Sequence, residues 1–165
     1  MDNAANRPAD PAGRLPRWDE LPDLELYMDQ VLSLAERYLR ECSVPEERRL
    51  TASMVNNYVK MGVMPPPVRK RYTRSHLADL LMICLLKASL PIASVRQLLA
   101  ARREALGEEG AYAAFRAMFE EESGAAAAAL SAREGEDPSS LACRSALRAG
   151  AERALAEGLC PAAGR

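Results

Sequence analysis

Apolar side chains recur at helical spacing over most of the chain, and the gaps between those runs are short and rich in Pro, Gly and polar residues. "PDLELYMDQVLSLAERYLREC" places Leu24, Tyr27, Met28, Val31, Leu34 or Ala35, Tyr38 and Cys42 on one stripe. Pro22 and Asp23 stand where a helix start wants them, and Pro45 ends or follows the helix. A short helix comes next, from about Thr51 or Ser53, both credible N-caps, to Met61. Met54, Val55, Tyr58 and Val59 form its apolar side, while Ser53, Asn56, Asn57 and Lys60 fall on the other. Gly62 caps its end. Prolines 65–67 cannot continue a helix and favour a stiff, extended course. "VRKRYT" extends that course as a basic segment, and Thr73 caps "RSHLADLLMICLLKA". That stretch is apolar on most sides, which predicts the central, buried helix. "SLPIASVRQLLAARREAL" begins another helix, with Pro91 near its first turn and Ile92, Val95, Leu98 and Leu99 inward.

The remainder divides into "AYAAFRAMFEEESGAAAAALSA" and "PSSLACRSALRAGAERALAEGL" around the polar connector "REGEDP", the pattern of a helical hairpin. Asp137-Pro138 marks the start of the second helix. Residues 1–17 hold three prolines and little periodicity, and read as a disordered arm, with Trp18 packing back on the domain. The predicted organisation is therefore an arm over 1–17, a helical domain over 18–103 and an Ala-rich helical tail over 104–165. The predicted core is Leu24, Met28, Val31, Val55, Tyr58, Leu77, Leu80, Leu81, Cys84, Val95 and Leu98.

Composition supports an all-α fold: alanine is heavily used and Val and Ile are sparse. The first residues lack the apolar centre of a signal peptide and no apolar run nears the length of a membrane span, so a cytoplasmic protein without a membrane partner is expected. Cys42, Cys84, Cys143 and Cys160 show no paired spacing and read as reduced, mostly buried thiols. Nothing in the pattern demands a metal or cofactor, and no small-molecule effector is legible.

Charge changes the picture more. The net of −1 conceals blocks of −6 over residues 1–47, +10 over 48–103 and −5 over 104–165. In the middle block eleven cations face one acid, Asp79, and residues 48–72 hold six cations and no carboxylate. A basic block between acidic flanks points to a polyanion. A helix whose outer face is Ser53, Asn56, Asn57 and Lys60 suits the major groove, because an Asn amide pairs bidentately with adenine and Lys reaches guanine or phosphate. Beside it, Arg69, Lys70 and Arg71 would lie along the backbone as a wing. Six phosphate contacts, from Arg48, Lys60, Arg69, Lys70, Arg71 and Arg74, correspond to a log–log salt slope of roughly −5.

Together "LYMDQV", "NNYVK", "PPP" and "RYTRSHLADL" carry a resemblance to the bacterial domain-of-unknown-function family numbered 1836, over roughly residues 18 to 100. That family brings no established activity, and is itself similar to the winged helix-turn-helix of MerR-type regulators. By that resemblance Val55 and Tyr58 take core positions of the recognition helix, Gly62 and Pro65 the turn after it, and Lys70 or Arg71 with Tyr72 the basic element of the wing. Asn56 stands where those regulators commonly carry Arg. The resemblance implies a helical bundle with a helix-turn-helix at about residues 51–61, a short basic wing at 68–74 and further C-terminal helices.

The reading is a DNA-binding transcriptional regulator. Its DNA contacts would be Arg48, Ser53, Asn56, Asn57, Lys60, Arg69, Lys70, Arg71, Arg74 and His76. Double-stranded DNA is the expected partner, and a homodimer is expected because one short helix reads few base pairs. The alternative is a helix-turn-helix turned to protein contacts, marked by a basic face interrupted by apolar residues such as Val68. An enzyme is not expected: the sole histidine, His76, has no nucleophile or acid cluster at suitable spacing and reads as a surface residue or phosphate contact. Asp79 is expected to pair with Arg or Lys on the surface. The apolar positions of the tail (Tyr112, Phe115, Met118, Phe119, Leu141, Leu147 and Leu155) are expected to serve association, so that removing 105–165 leaves a folded domain.

Overall fold

The computed structural model describes residues 13–42 and 50–160. They form a 3-10 turn at Trp18–Glu20 and five helices: α1 (Met28–Glu41), α2 (Ala52–Lys60), α3 (Arg74–Leu86), α4 (Ile92–Ser131) and α5 (Pro138–Leu159). The all-α architecture read from the sequence is the one found.

Helix α3 is the axis of the bundle. Every residue from His76 to Cys84 is buried, so the segment without a polar face is the one packed on all sides. Helix α1 lies against it through Val31, Ala35 and Leu39 and α4 through Val95 and Leu99, while α2 packs on α1 and adds Val55 and Tyr58 to the same core. Of the predicted core, all but Leu24 belong to this cluster or pack against it.

Leu24 is exposed because α1 starts four residues later than Pro22 and Asp23 suggested. The segment before α1 is instead extended: Leu26 exchanges both backbone hydrogen bonds with Tyr72 at 2.8 Å, and Leu21 and Leu26 enter the core. Tyr27 donates its backbone N–H to the Gln30 side chain at 2.9 Å, which starts the helix there.

Two boundaries also move. Gly13–Arg17 belong to the body and not to an arm: Leu15 is fully buried, and its carbonyl and that of Pro16 accept hydrogen bonds from Arg116 (3.0 Å) and the Tyr112 hydroxyl (2.9 Å). Residues 1–12 lie outside the described residues. At the other end, α4 breaks at Gly107, whose φ of 70° leaves the helical region, and then resumes. After the break Ala111, Tyr112 and Phe115 are buried in the body. The boundary drawn after residue 103 therefore cuts through the core, and truncation at 105 would remove part of it.

Helix α5 follows as expected, with Pro138 in its first turn and the Asp137 carboxylate accepting the Ser140 N–H at 3.0 Å. All four cysteines are free; Cys42 and Cys84 are buried as expected, Cys143 is exposed and Cys160 half-buried. Burial pushes the Cys42 and Cys84 thiols up to about 11 and about 12, which leaves little thiolate at neutral pH.

Candidate nucleic-acid interface

Helix α2 is built to show one face. Thr51 is the N-cap, its hydroxyl accepting the Met54 N–H at 3.2 Å. At the other end Gly62 adopts a φ of 67°, the Val63 N–H reaches the Tyr58 carbonyl (2.9 Å) and the Gly62 N–H that of Val59 (3.0 Å). This is a complete Schellman ending, with Val63 and Tyr58 both buried beneath it. The Tyr58 hydroxyl accepts a 2.9 Å hydrogen bond from Lys87, which ties α2 to the end of α3. Between these anchors Ser53, Asn56, Asn57 and Lys60, at i, i+3, i+4 and i+7, all face solvent. The Asn57 amide lies 3.4 Å from the Met61 sulfur.

The basic segment is not a plain extended strand. Val68 and Arg71 form an antiparallel bridge, and the two residues between them, Arg69 and Lys70, have φ of 51° and 61°. Positive φ at both central residues is the signature of the tight hairpin turn that normally carries Asn-Gly. Here two cations hold it, at a cost of roughly 1–2 kcal/mol for each residue forced left-handed. The hairpin tip thus presents Arg69 and Lys70 outward under backbone strain. The adjoining Tyr72 is fastened to Leu26, which anchors the hairpin to the extended segment before α1.

Not every predicted contact is free. Arg71 lies over the Tyr27 ring at 3.5 Å from its centroid. Arg74 is mostly buried, stacked over Trp18 at 5.7 Å and 3.6 Å from the Asp23 carboxylate. His76 is buried, which corrects its surface placement. Its Nδ1 accepts the Thr73 N–H at 3.0 Å and lies 2.9 Å from the Thr73 hydroxyl, which assigns the ring proton to Nε2, 3.4 Å from the Pro66 carbonyl. Burial keeps its pKa below the usual value and the ring neutral. His76 therefore caps α3 and pins the proline segment to it, and does not face a phosphate. Arg48 lies outside the described residues. Among the described residues no carboxylate pairs with Lys60, Arg69 or Lys70.

The fold also brings acids that the linear reading kept away. Asp23 reaches Arg74, and Glu25 joins Val68, Arg69 and Arg71 around a hollow of about 410 Å³. Leu24, Tyr27 and Val68 are exposed beside it.

Arg103 is a residue that sequence reasoning did not single out. It donates to Asp79 at 2.6 Å and to the Val63 carbonyl at 3.3 Å, so α4 clamps both α3 and the turn that ends α2. Asp79 is paired as expected but is buried, and burial raises its carboxyl to about 6 against the pull of Arg103. Nearby, the Ser75 hydroxyl donates to Glu108, just beyond the α4 break. Nothing local distinguishes Arg103 from Arg102; only the lone acid in a buried helix signals that one cation of α4 must turn inward.

Among the described residues no helix is long and apolar enough to cross a membrane. Comparison with curated proteins and with solved structures returned no match. The family model described as a domain of unknown function, DUF1836, matches residues 16–120, a span that starts with the buried Leu15–Pro16 region and ends just after Phe115. That is the body described above, and the chain belongs to the DUF1836 family.

Proposed function

We propose that the chain is a duplex-DNA-binding transcriptional regulator of the cytoplasm, related to the MerR-type winged helix-turn-helix and acting as a homodimer. One observation carries this reading. A rigidly capped helix exposes Ser53, Asn56, Asn57 and Lys60, and the same molecule holds Arg69 and Lys70 at a strained hairpin tip. Adjacent exposed Asn residues are poor helix formers, since their amides compete for backbone hydrogen bonds. Their amides match the adenine edge, at about 1–3 kcal/mol of discrimination for each good pair. Of the cations first considered, Lys60, Arg69 and Lys70 are, among the described residues, free for phosphate, while Arg71 and Arg74 order the wing.

Alanine at Asn56 or Asn57 tests base reading. Each variant is expected to keep the stability of the parent, to lose affinity for its selected operator, and to bind random duplex as before. Lys60→Ala is expected to weaken both. Asn variants that retain the full ratio of specific to non-specific affinity would remove base reading from α2.

A second reading, a helix-turn-helix derivative that binds protein, draws support from Leu24, Tyr27 and Val68, which interrupt the basic surface beside the hairpin together with Glu25. Val68→Ser and Leu24→Ser separate the two. They should leave DNA affinity intact under the first reading, and abolish capture of an acidic, apolar partner under the second.

A further inference from the structure

Helix α5 runs for 22 residues without burying one of them. Alanine-rich sequence supplies propensity, but helices in proteins owe most of their stability to packing one face. On α5 that face stands open: Leu147, Leu155 and Leu159 are 75%, 68% and 85% exposed. They fall with Ala151 on one ridge at intervals of four. At its edge a groove of about 600 Å³ separates α4 from α5, lined by Ala126, Ala129 and Leu130 on one side and Leu141, Leu147 and Ala149 on the other.

We propose that the occupant is a second copy of this chain, its α5 crossing antiparallel about a two-fold axis at Ala151. The ridge reads alike from both ends: Leu147 and Leu155 lie four residues either side of Ala151, and Cys143 and Leu159 lie eight. The crossing sets Leu147 against the partner's Leu155 and Cys143 against the partner's Leu159, a contact that closes on itself. Gly150, Ala151 and Ala154 keep the crossing point small enough for close approach. Charge obeys the same symmetry. Arg148 and Glu152 flank the ridge on one side, three residues before Ala151 and one after it, so the crossing brings each copy's Arg148 beside the other's Glu152. In the single chain Arg148 pairs with Glu152 and Arg153 with Glu157 at exposed positions, where such pairs are weak and free to exchange. This deepens the homodimer reading above and rests on it, yet its test needs no DNA.

Light scattering on the full chain should give about 36 kDa, twice the 18.0 kDa of one copy. Leu147→Glu with Leu155→Glu should return 18.0 kDa without loss of helical circular dichroism, because both side chains are exposed. In a Cys143→Ser background, Ala151→Cys should form an intermolecular disulfide under mild oxidation, since it lies on the axis. Leu147→Cys should not, because its two copies stand about 12 Å apart along the helices, beyond disulfide reach. A monomeric or larger parent, a double variant that stays dimeric, or cross-linking at 147 equal to that at 151 would each overturn the assignment. DNA titration of the same samples reports separately on the DNA reading.

Discussion

Replacing Arg69-Lys70 with Asn-Gly tests whether the hairpin tip is shaped for an anion or merely for folding. Both residues hold positive φ, 51° and 61°, without being glycine. Each left-handed residue costs roughly 1–2 kcal/mol, which glycine avoids and asparagine reduces. Glycine also loosens the unfolded chain, which returns roughly 0.4–1 kcal/mol of the gain. The net expectation is a stabilisation of about 1 kcal/mol, or a rise in Tm of about 2–4 °C for a chain of this size. Two cations leave at the same time. If both contact phosphate, the log–log salt slope for duplex DNA becomes shallower by about 1.8. Differential scanning fluorimetry and anisotropy titrations over a salt series measure the two effects on one preparation. A more stable protein that binds DNA as steeply as before would show that the tip does not face phosphate. A less stable one would show that Arg69 and Lys70 serve the fold.

Leu81→Ala, at a fully buried site of α3, should cost about 2–5 kcal/mol by chemical denaturation. Tyr112→Ala should cost about 3–5 kcal/mol, because the ring is buried and its hydroxyl holds the Pro16 carbonyl; an unchanged midpoint would restore the domain boundary at residue 103. The pH dependence should split into two opposed contributions. His76 has a lowered folded pKa, so its contribution is complete above its ordinary value of 6.5 and is lost as pH falls below it. Asp79, raised from 3.8 to about 6, works the other way: stability is gained as pH falls through about 6. His76→Gln keeps the cap with Thr73 and should leave stability rising on acidification. Asp79→Asn should steepen the acid loss. Denaturation series between pH 5 and 7.5 check both, and parallel slopes for the two variants would contradict the assignment.

The helices were legible where one pattern dominated. The unbroken apolar run of α3 announced its burial, and Thr51, Gly62, Thr73 and Asp137 marked helix ends through capping chemistry that acts within four residues. Tertiary pairing decided what local pattern could not. Leu24 and Tyr27 continue the stripe of α1 perfectly well, yet Leu26 gains two backbone hydrogen bonds from Tyr72 by staying extended. Tyr112 shares its periodicity with the exposed positions of the tail, and contact with Pro16 and Trp18 sets it apart. In the candidate site, the exposed face of α2 followed directly from helical spacing. The strained turn did not, because Arg and Lys carry no local signal for positive φ. His76 and Arg74 looked like free polar residues because burial under Pro66 and over Trp18 depends on segments distant in sequence.

The most direct test of the account is the affinity of the full chain for random duplex DNA as a function of salt. With Arg71 and Arg74 engaged within the fold, four of the six contacts remain, Arg48, Lys60, Arg69 and Lys70, and the sequence-based slope of −5 falls in magnitude to about −3.6 for each bound copy. A slope near that value, made shallower by Lys60→Ala, is the predicted result. A slope near zero, or no binding at low salt, would contradict it and leave the surface around Leu24, Tyr27 and Val68 as the working face of the protein.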